Sequence, residues 1–76
     1  MSLPSIDDIN KLVGLQLGVR DVRPTDRFAE DLGAESADVA NIISAVEAKY
    51  KVEIKEAEIA RIFTPADLLA LILTRI

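Results

Sequence analysis

An all-α fold is what this sequence predicts: a small four-helix bundle, three main helices plus one short one, with a long loop between the first and second. Three observations carry that expectation. Apolar residues recur at helical spacing in two stripes, Ile6, Ile9, Val13 and Leu17, then Val39, Ile42, Ile43, Val46 and Tyr50. Helix-start chemistry stands ahead of the apolar segments at Ser5 and Thr64. The one strand-like run, Val52-Glu53-Ile54, has nothing nearby to pair with and reads as a connector.

The first helix spans about residues 6–17. Ser5 is a good N-cap, Asp8 three residues on completes a capping box, Asp7 suits the helix dipole, and Gly18 is the expected terminator. Residues 18–35 then form an unusually long connection for a small domain. Phe28 and Leu32 are apolar anchors that pin this loop to the core, and Gly33 ends any short helical turn between them, so the loop is expected to be ordered. The second helix spans 36–50 and carries the strongest amphipathic pattern. A short third helix over Glu56–Ile62 presents Ile59 and Ile62, and Thr64-Pro65 with Asp67 opens a fourth over 65–75. No repeat, low-complexity segment or internal boundary interrupts residues 1–76, which read as a single domain. Met1-Ser2-Leu3 reads in part as an expression remnant.

Half of the residues are hydrophobic, yet there are only two Phe, one Tyr and no Trp, so the core must be aliphatic. The chain has no Cys and no His, which removes disulfides, thiolate nucleophiles, Cys/His zinc sites and imidazole-based triads. A serine nucleophile would need Lys11, Lys49, Lys51 or Lys55 as base, and none of these lies in a recognisable motif. Asp31-Leu-Gly-Ala-Glu35 lacks the alternating oxygen ligands of a calcium loop, so no metal site is expected. The most apolar stretch, Leu68–Leu73, is six residues, too short to span a bilayer, and no signal-peptide pattern opens the chain. A soluble, cytoplasmic, non-enzymatic protein is expected.

The net charge of −4 lies wholly in the first half: residues 1–38 hold eight acids and four bases, residues 39–76 five of each. Five acids, Asp26, Glu30, Asp31, Glu35 and Asp38, face the single base Arg27 between residues 26 and 38. Such a patch disfavours nucleic acid and suits a basic protein surface, or is simply solvated.

Ser36, at the start of the second helix, has on its own the chemistry of a helix cap. Its surroundings, Glu30-Asp31-Leu32-Gly33-Ala34-Glu35-Ser36-Ala37-Asp38 followed by Val39, Ile42, Ile43 and Val46, resemble the modification site of acyl carrier proteins. That family attaches 4′-phosphopantetheine, taken from coenzyme A, to a serine in a D-L-G-x-D-S-L pattern. The resemblance runs from the first helix through the loop with Phe28 to Glu53-Ile54 and Thr64. It implies a carrier with Ser36 as attachment point, holding an acyl group as a thioester for enzymes of fatty-acid, lipid or polyketide-type synthesis.

Further implications follow from the same resemblance. Asp31, Glu35, Ala37, Asp38 and Glu47 are the implied partner-recognition positions, read by a phosphopantetheinyl transferase and by acyl-transferring or synthase enzymes with basic docking surfaces. Val39, Ala40, Ile43, Val46, Ile54, Ile59, Ile62 and Leu68 are the implied acyl-pocket lining, with ordinary core packing as the competing role. A monomer without membrane insertion is expected. Glu35 stands where the family usually has Asp and Ala37 where it usually has Leu, while Asn41, Ala48 and Lys49 dilute the acids of the second helix. Its partners are therefore expected to differ from those of a generic fatty-acid carrier.

The local physics is compatible with an anion on Ser36. A phosphodiester there would lie against the free N–H groups and positive dipole end of the helix, opposed only by screened repulsion from Glu35 and Asp38. A peptidyl or aminoacyl carrier is the variant within this class. The competing class is an unmodified acidic interaction module that docks or dimerises through its loop and the apolar last helix, Leu68, Leu69, Leu71, Ile72 and Leu73.

Overall fold

In the computed structural model, which describes residues 3–76, the chain folds into four helices with no strand among the described residues. Met1 and Ser2, read in part as an expression remnant, lie outside the described residues. Ser5 Oγ accepts the Asp8 N–H at 3.2 Å and the Asp8 carboxylate accepts the Ser5 N–H at 3.0 Å, so the capping box starts α1, Ile6–Leu17. Gly18 closes it in the left-handed region at φ 68°. The chain then folds back so tightly that a Cβ on Gly14 would lie 2.7 Å from the Val19 carbonyl oxygen, which explains glycine at position 14.

Helix α2 is Ser36–Tyr50. Helix α3 covers only Glu56–Ile59, shorter than the expected 56–62. Its continuation is tightened by the turn bonds Arg61 N–H to Glu58 O (3.0 Å) and Ile62 N–H to Ile59 O (3.1 Å), ahead of the extended backbone that Thr64 needs to cap the next helix. Helix α4 is Pro65–Leu73 rather than 65–75. There the Thr74 hydroxyl donates to Leu71 O at 2.6 Å and Arg75 N–H to Ile72 O at 2.9 Å, replacing the helical ladder with a tighter turn.

Helix α1 packs against both α2 and α4. The core joins Ile9, Leu12 and Val13 of α1 to Ile42, Ile43 and Val46 of α2 and to Leu68 and Ile72 of α4. Phe28 and Ala34 of the long loop, Ile54 of the connector and Ile62 complete it. Each fully buried Ile, Leu or Val contributes on the order of 1.5–3 kcal/mol, so this aliphatic set supplies most of the driving force. Leu68 and Ile72 are wholly buried and Leu69 and Leu71 half-buried, leaving Leu73 as the exposed member of that stripe. The expectation of an apolar docking face along the last helix is corrected accordingly: α4 spends its stripe on the core.

The long loop is ordered, as expected, and it holds the start of α2 in place. Phe28 is only 3% exposed. Its N–H donates to Phe63 O at 2.8 Å, its carbonyl accepts from Ala34 N–H at 2.8 Å, and Ala66 N–H reaches Pro24 O at 3.1 Å. Gly33, at φ 68°, provides the left-handed turn just before α2. The loop is thereby tied to the α3–α4 connection on one side and delivers residues 34–36 to the helix start on the other.

Candidate functional site

The backbone around Ser36 corrects one expectation. The N-cap of α2 is Glu35, not Ser36, and Ser36 is the first helical residue. The Asp38 carboxylate accepts the Glu35 N–H at 2.9 Å, supplying the return half of a capping arrangement, while Glu35 makes no side-chain cap bond. Position N1 points a side chain outward from the first turn, so the Ser36 hydroxyl is exposed, and no side chain or backbone group bonds it among the described residues. Val39 N–H is bonded to Glu35 O at 3.0 Å, closing the first helical turn. The N–H groups of Ser36 and Ala37 precede it and have no intrahelical acceptor. An exposed hydroxyl beside free N–H donors and the positive end of a 15-residue helix is a fit for a phosphodiester.

The acidic patch is largely committed to local structure. Asp26 accepts the Arg23 N–H at 2.8 Å. Asp31 accepts the Arg27 N–H at 2.8 Å and the Arg27 side chain at 3.2 and 3.4 Å, and Arg27 also pairs with Glu30. The guanidinium hydrogen bonds, helped by the Arg27 N–H, hold the Asp31 carboxyl below the usual aspartate range, and Asp31 raises Arg27 in return. With Asp38 engaged at the Glu35 N–H, the Glu35 carboxylate is exposed and makes no side-chain cap bond. Ala37 is exposed and Asp38 half-buried beside it.

Glu47 occupies a different setting from the other recognition candidates. It is half-buried and accepts the Ile54 N–H at 2.9 Å, which ties the C-terminal part of α2 to the connector before α3. Neither this bond nor the Arg27 clamp was legible as a role, although the i,i+4 spacing of Arg27 and Asp31 was a usable signal. Glu47 and Ile54 are seven residues apart across a non-helical turn and carry no comparable signature.

Of the eight aliphatic lining candidates, seven share one cluster: Ile43, Val46, Ile54, Ile62 and Leu68 are buried, and Val39 and Ile59 are packed against them. Ala40 is the exception and is corrected. It is exposed, because it lies one helical turn from Ser36 on the same outward face. A cavity of about 90 Å³ lies between Val39 of α2, Ile62 and Phe63, and the loop residues Arg27–Glu30. Among the described residues there is no grouping of acids able to hold a metal ion, and no helix is long and apolar enough to cross a membrane.

Comparison with known proteins gives this geometry its context. A family described as "phosphopantetheine attachment site" matches residues 7–72, a span that includes Ser36 and all four helices apart from the first residue of α1 and the last residue of α4. The acyl carrier protein of Wolinella succinogenes is 40% identical over 70 residues, covering 90% of this chain and 92% of its own length. That of Helicobacter hepaticus is 36% identical over 72 residues, covering 92% and 95%. Among solved structures, the 3-oxo-butyl acyl carrier protein of the actinorhodin polyketide synthase in Streptomyces coelicolor superposes with a TM-score of 0.77 at 26% identity, over 97% of this chain and 92% of that one. The cofactor of the family is covalent 4′-phosphopantetheine, and the chain belongs to the acyl carrier protein family.

Proposed function

We propose that residues 1–76 form a single carrier domain that takes its 4′-phosphopantetheine arm on Ser36 and presents acyl groups to the enzymes of a fatty-acid, lipid or polyketide-type synthesis. The observation that carries the reading is the Ser36 hydroxyl itself: exposed, free of hydrogen bonds among the described residues, and set at the first position of α2 instead of being spent on its cap. In the modification step Ser36 Oγ attacks the phosphorus of coenzyme A that bears the pantetheine. A P–O bond to the serine forms, the pyrophosphate bond breaks, and 3′,5′-ADP leaves. The hydroxyl proton goes to a base on the transferase, since the chain has no His and no carboxylate bonds the hydroxyl.

The arm supplies a thiol that carries the acyl group as a thioester. The protein's own residues position and shelter. The free N–H groups at the start of α2 stabilise the phosphodiester charge, and Glu35 offers the exposed carboxylate for basic docking surfaces. Val39, Ile43, Val46, Ile54, Ile59, Ile62 and Leu68 offer an aliphatic environment to cargo, but the existing cavity of about 90 Å³ is small. A long chain is therefore sheltered only if core side chains part, at a cost in packing that its own burial offsets. Chemistry resides in the partner enzymes, and the carrier contributes proximity.

The decisive experiment incubates the purified chain with coenzyme A and a broad-specificity phosphopantetheinyl transferase and measures intact mass. The unaltered protein gains one phosphopantetheinyl group and Ser36→Ala gains none. Equal gain by both would move the arm elsewhere, and no gain by the unaltered protein would remove the carrier reading.

A further inference from the structure

Phe63 is out of place by the logic of this fold. The other phenylalanine, Phe28, is 3% exposed, while Phe63 is 60% exposed in a chain whose core is short of large side chains. It stands immediately before the Thr64 cap, the position from which an apolar residue commonly staples onto the fourth residue of the helix. That residue, Leu68, is already wholly buried, and most of the Phe63 ring remains outside. The backbone beneath it is held from both sides: Phe63 O accepts Phe28 N–H at 2.8 Å, and Phe63 N–H donates to Asp67 Oδ2 at 3.0 Å. The result is a large apolar side chain on a stiff base, with little backbone entropy left to lose on contact.

Its location gives this exposure a consequence. Phe63 lines the cavity shared with Val39 and with Arg27–Glu30. Val39 lies three residues from Ser36 on α2, about 5–6 Å between Cβ atoms. The exposed residues next to Ser36 on the helix, Ala37 and Ala40, offer only methyl groups. Phe63 is thus a large exposed apolar side chain that shares a cavity with Val39, one helical turn from Ser36. Along the adjoining loop Arg27 pairs with both Glu30 and Asp31, two acids to one base, so that stretch of the rim is net negative.

Resting on the reading of Ser36 as the modified residue, we propose that Phe63 is the apolar anchor by which the phosphopantetheinyl transferase docks. Its complementary surface is an apolar socket flanked by Lys or Arg. The transferase is the partner singled out because it must reach the serine oxygen itself and so must cover the surface around it. Enzymes that act at the far end of the arm need not. Buried aromatic anchors surrounded by polar rims are the usual carriers of binding energy in such contacts.

The test measures steady-state modification of the full chain by a broad-specificity transferase with coenzyme A, comparing the unaltered protein with Phe63→Ala, Phe63→Leu and Leu15→Ala. Leu15, 83% exposed, shares a groove with Ala45 and Lys49 of α2, about 13–20 Å along the helix from Ser36, and serves as an exposed apolar control. Phe63→Ala is expected to raise KM about tenfold with kcat within about twofold, Phe63→Leu to recover most of that loss, and Leu15→Ala to leave KM unchanged. A KM for Phe63→Ala within about twofold of the unaltered protein, or an equal rise in Leu15→Ala, overturns the proposal. So does a dimer of the unaltered chain in sedimentation that Phe63→Ala dissolves, which would make the patch a contact between two copies. Failure of the unaltered chain to be modified at all removes the Ser36 reading and this one with it, whereas normal modification with an unchanged KM removes only the role of Phe63. Thermal unfolding of each variant accompanies the kinetics, and Phe63→Leu keeps the result interpretable if the alanine variant is less stable.

Discussion

Replacing Phe28 by Ala tests the claim that the long loop is part of the core and presents Ser36. The side chain is 3% exposed and packs with the buried cluster, so truncation removes a nearly complete aromatic burial. Such a change costs about 3–5 kcal/mol, more where the site cannot collapse. Here the side chain already borders a cavity and belongs to an irregular segment tied by few backbone bonds, so the low end, about 3 kcal/mol, is expected. A 76-residue domain has a total stability of about 4–11 kcal/mol, so the variant should still fold but with its midpoint lowered by at least about 12 °C. Urea unfolding monitored by circular dichroism gives the first number. Thermal unfolding gives the second, and native-state hydrogen exchange locates the loss, with the Phe28, Ala34 and Ala66 amides losing protection ahead of the amides of α1. A loss of under about 1 kcal/mol, or exchange that rises equally in α1 and the loop, would refute the reasoning, since either outcome would mean that Phe28 does not anchor the loop.

Three further outcomes follow from particular contacts. Because Ser36 is the first helical residue and not the cap, Ser36→Ala should change stability by under about 0.5 kcal/mol, while Asp38→Ala, which removes the acceptor for the Glu35 N–H, should cost about 0.5–2 kcal/mol by chemical denaturation. Gly14→Ala should destabilise by more than about 1 kcal/mol, reversing the usual gain of a Gly-to-Ala change in a helix, because its Cβ would sit 2.7 Å from the Val19 carbonyl oxygen; a rise in melting temperature would contradict this close approach. Asp8 and Asp31 are both held below the usual aspartate range, Asp8 chiefly by the Ser5 N–H and Asp31 chiefly by the Arg27 side chain. Their folded forms bind fewer protons than the unfolded chain in this range, so their stabilisation is complete above the ordinary aspartate pKa of about 4 and is lost as the pH falls through the lower folded values. The melting temperature should fall on acidification below about pH 4, and less steeply in Asp31→Asn.

Much of the fold was legible because its signals are short-range. The Ser5–Asp8 and Thr64–Asp67 pairs lie three residues apart and form their capping boxes within one turn, so the starts of α1 and α4 follow from local chemistry. The stripes along α1 and α2 gave the buried faces for the same reason: a 3.6-residue period places Ile9, Val13, Ile42 and Val46 inward whatever the neighbouring helices are. The family pattern around Ser36 is likewise contiguous. The ends of α3 and α4 were less legible, because competing turn bonds at Arg61, Ile62, Thr74 and Arg75 decide them within the energy of a single hydrogen bond.

By itself, then, the sequence determined the helical class, the helix starts at Ser5 and Thr64, the core faces, and the segment in which a modification site would lie. Only the tertiary structure decided how those residues are used. It moved the cap from Ser36 to Glu35, committed Asp31 and Glu47 to holding the backbone, left Ala40 outside the core, buried most of the α4 stripe and exposed Phe63. Capping and periodicity act over three or four residues and are written in local order. Exposure and availability depend on which distant backbone arrives beside a side chain, as Phe28 does beside Phe63 across 35 positions, and no local pattern encodes that arrival.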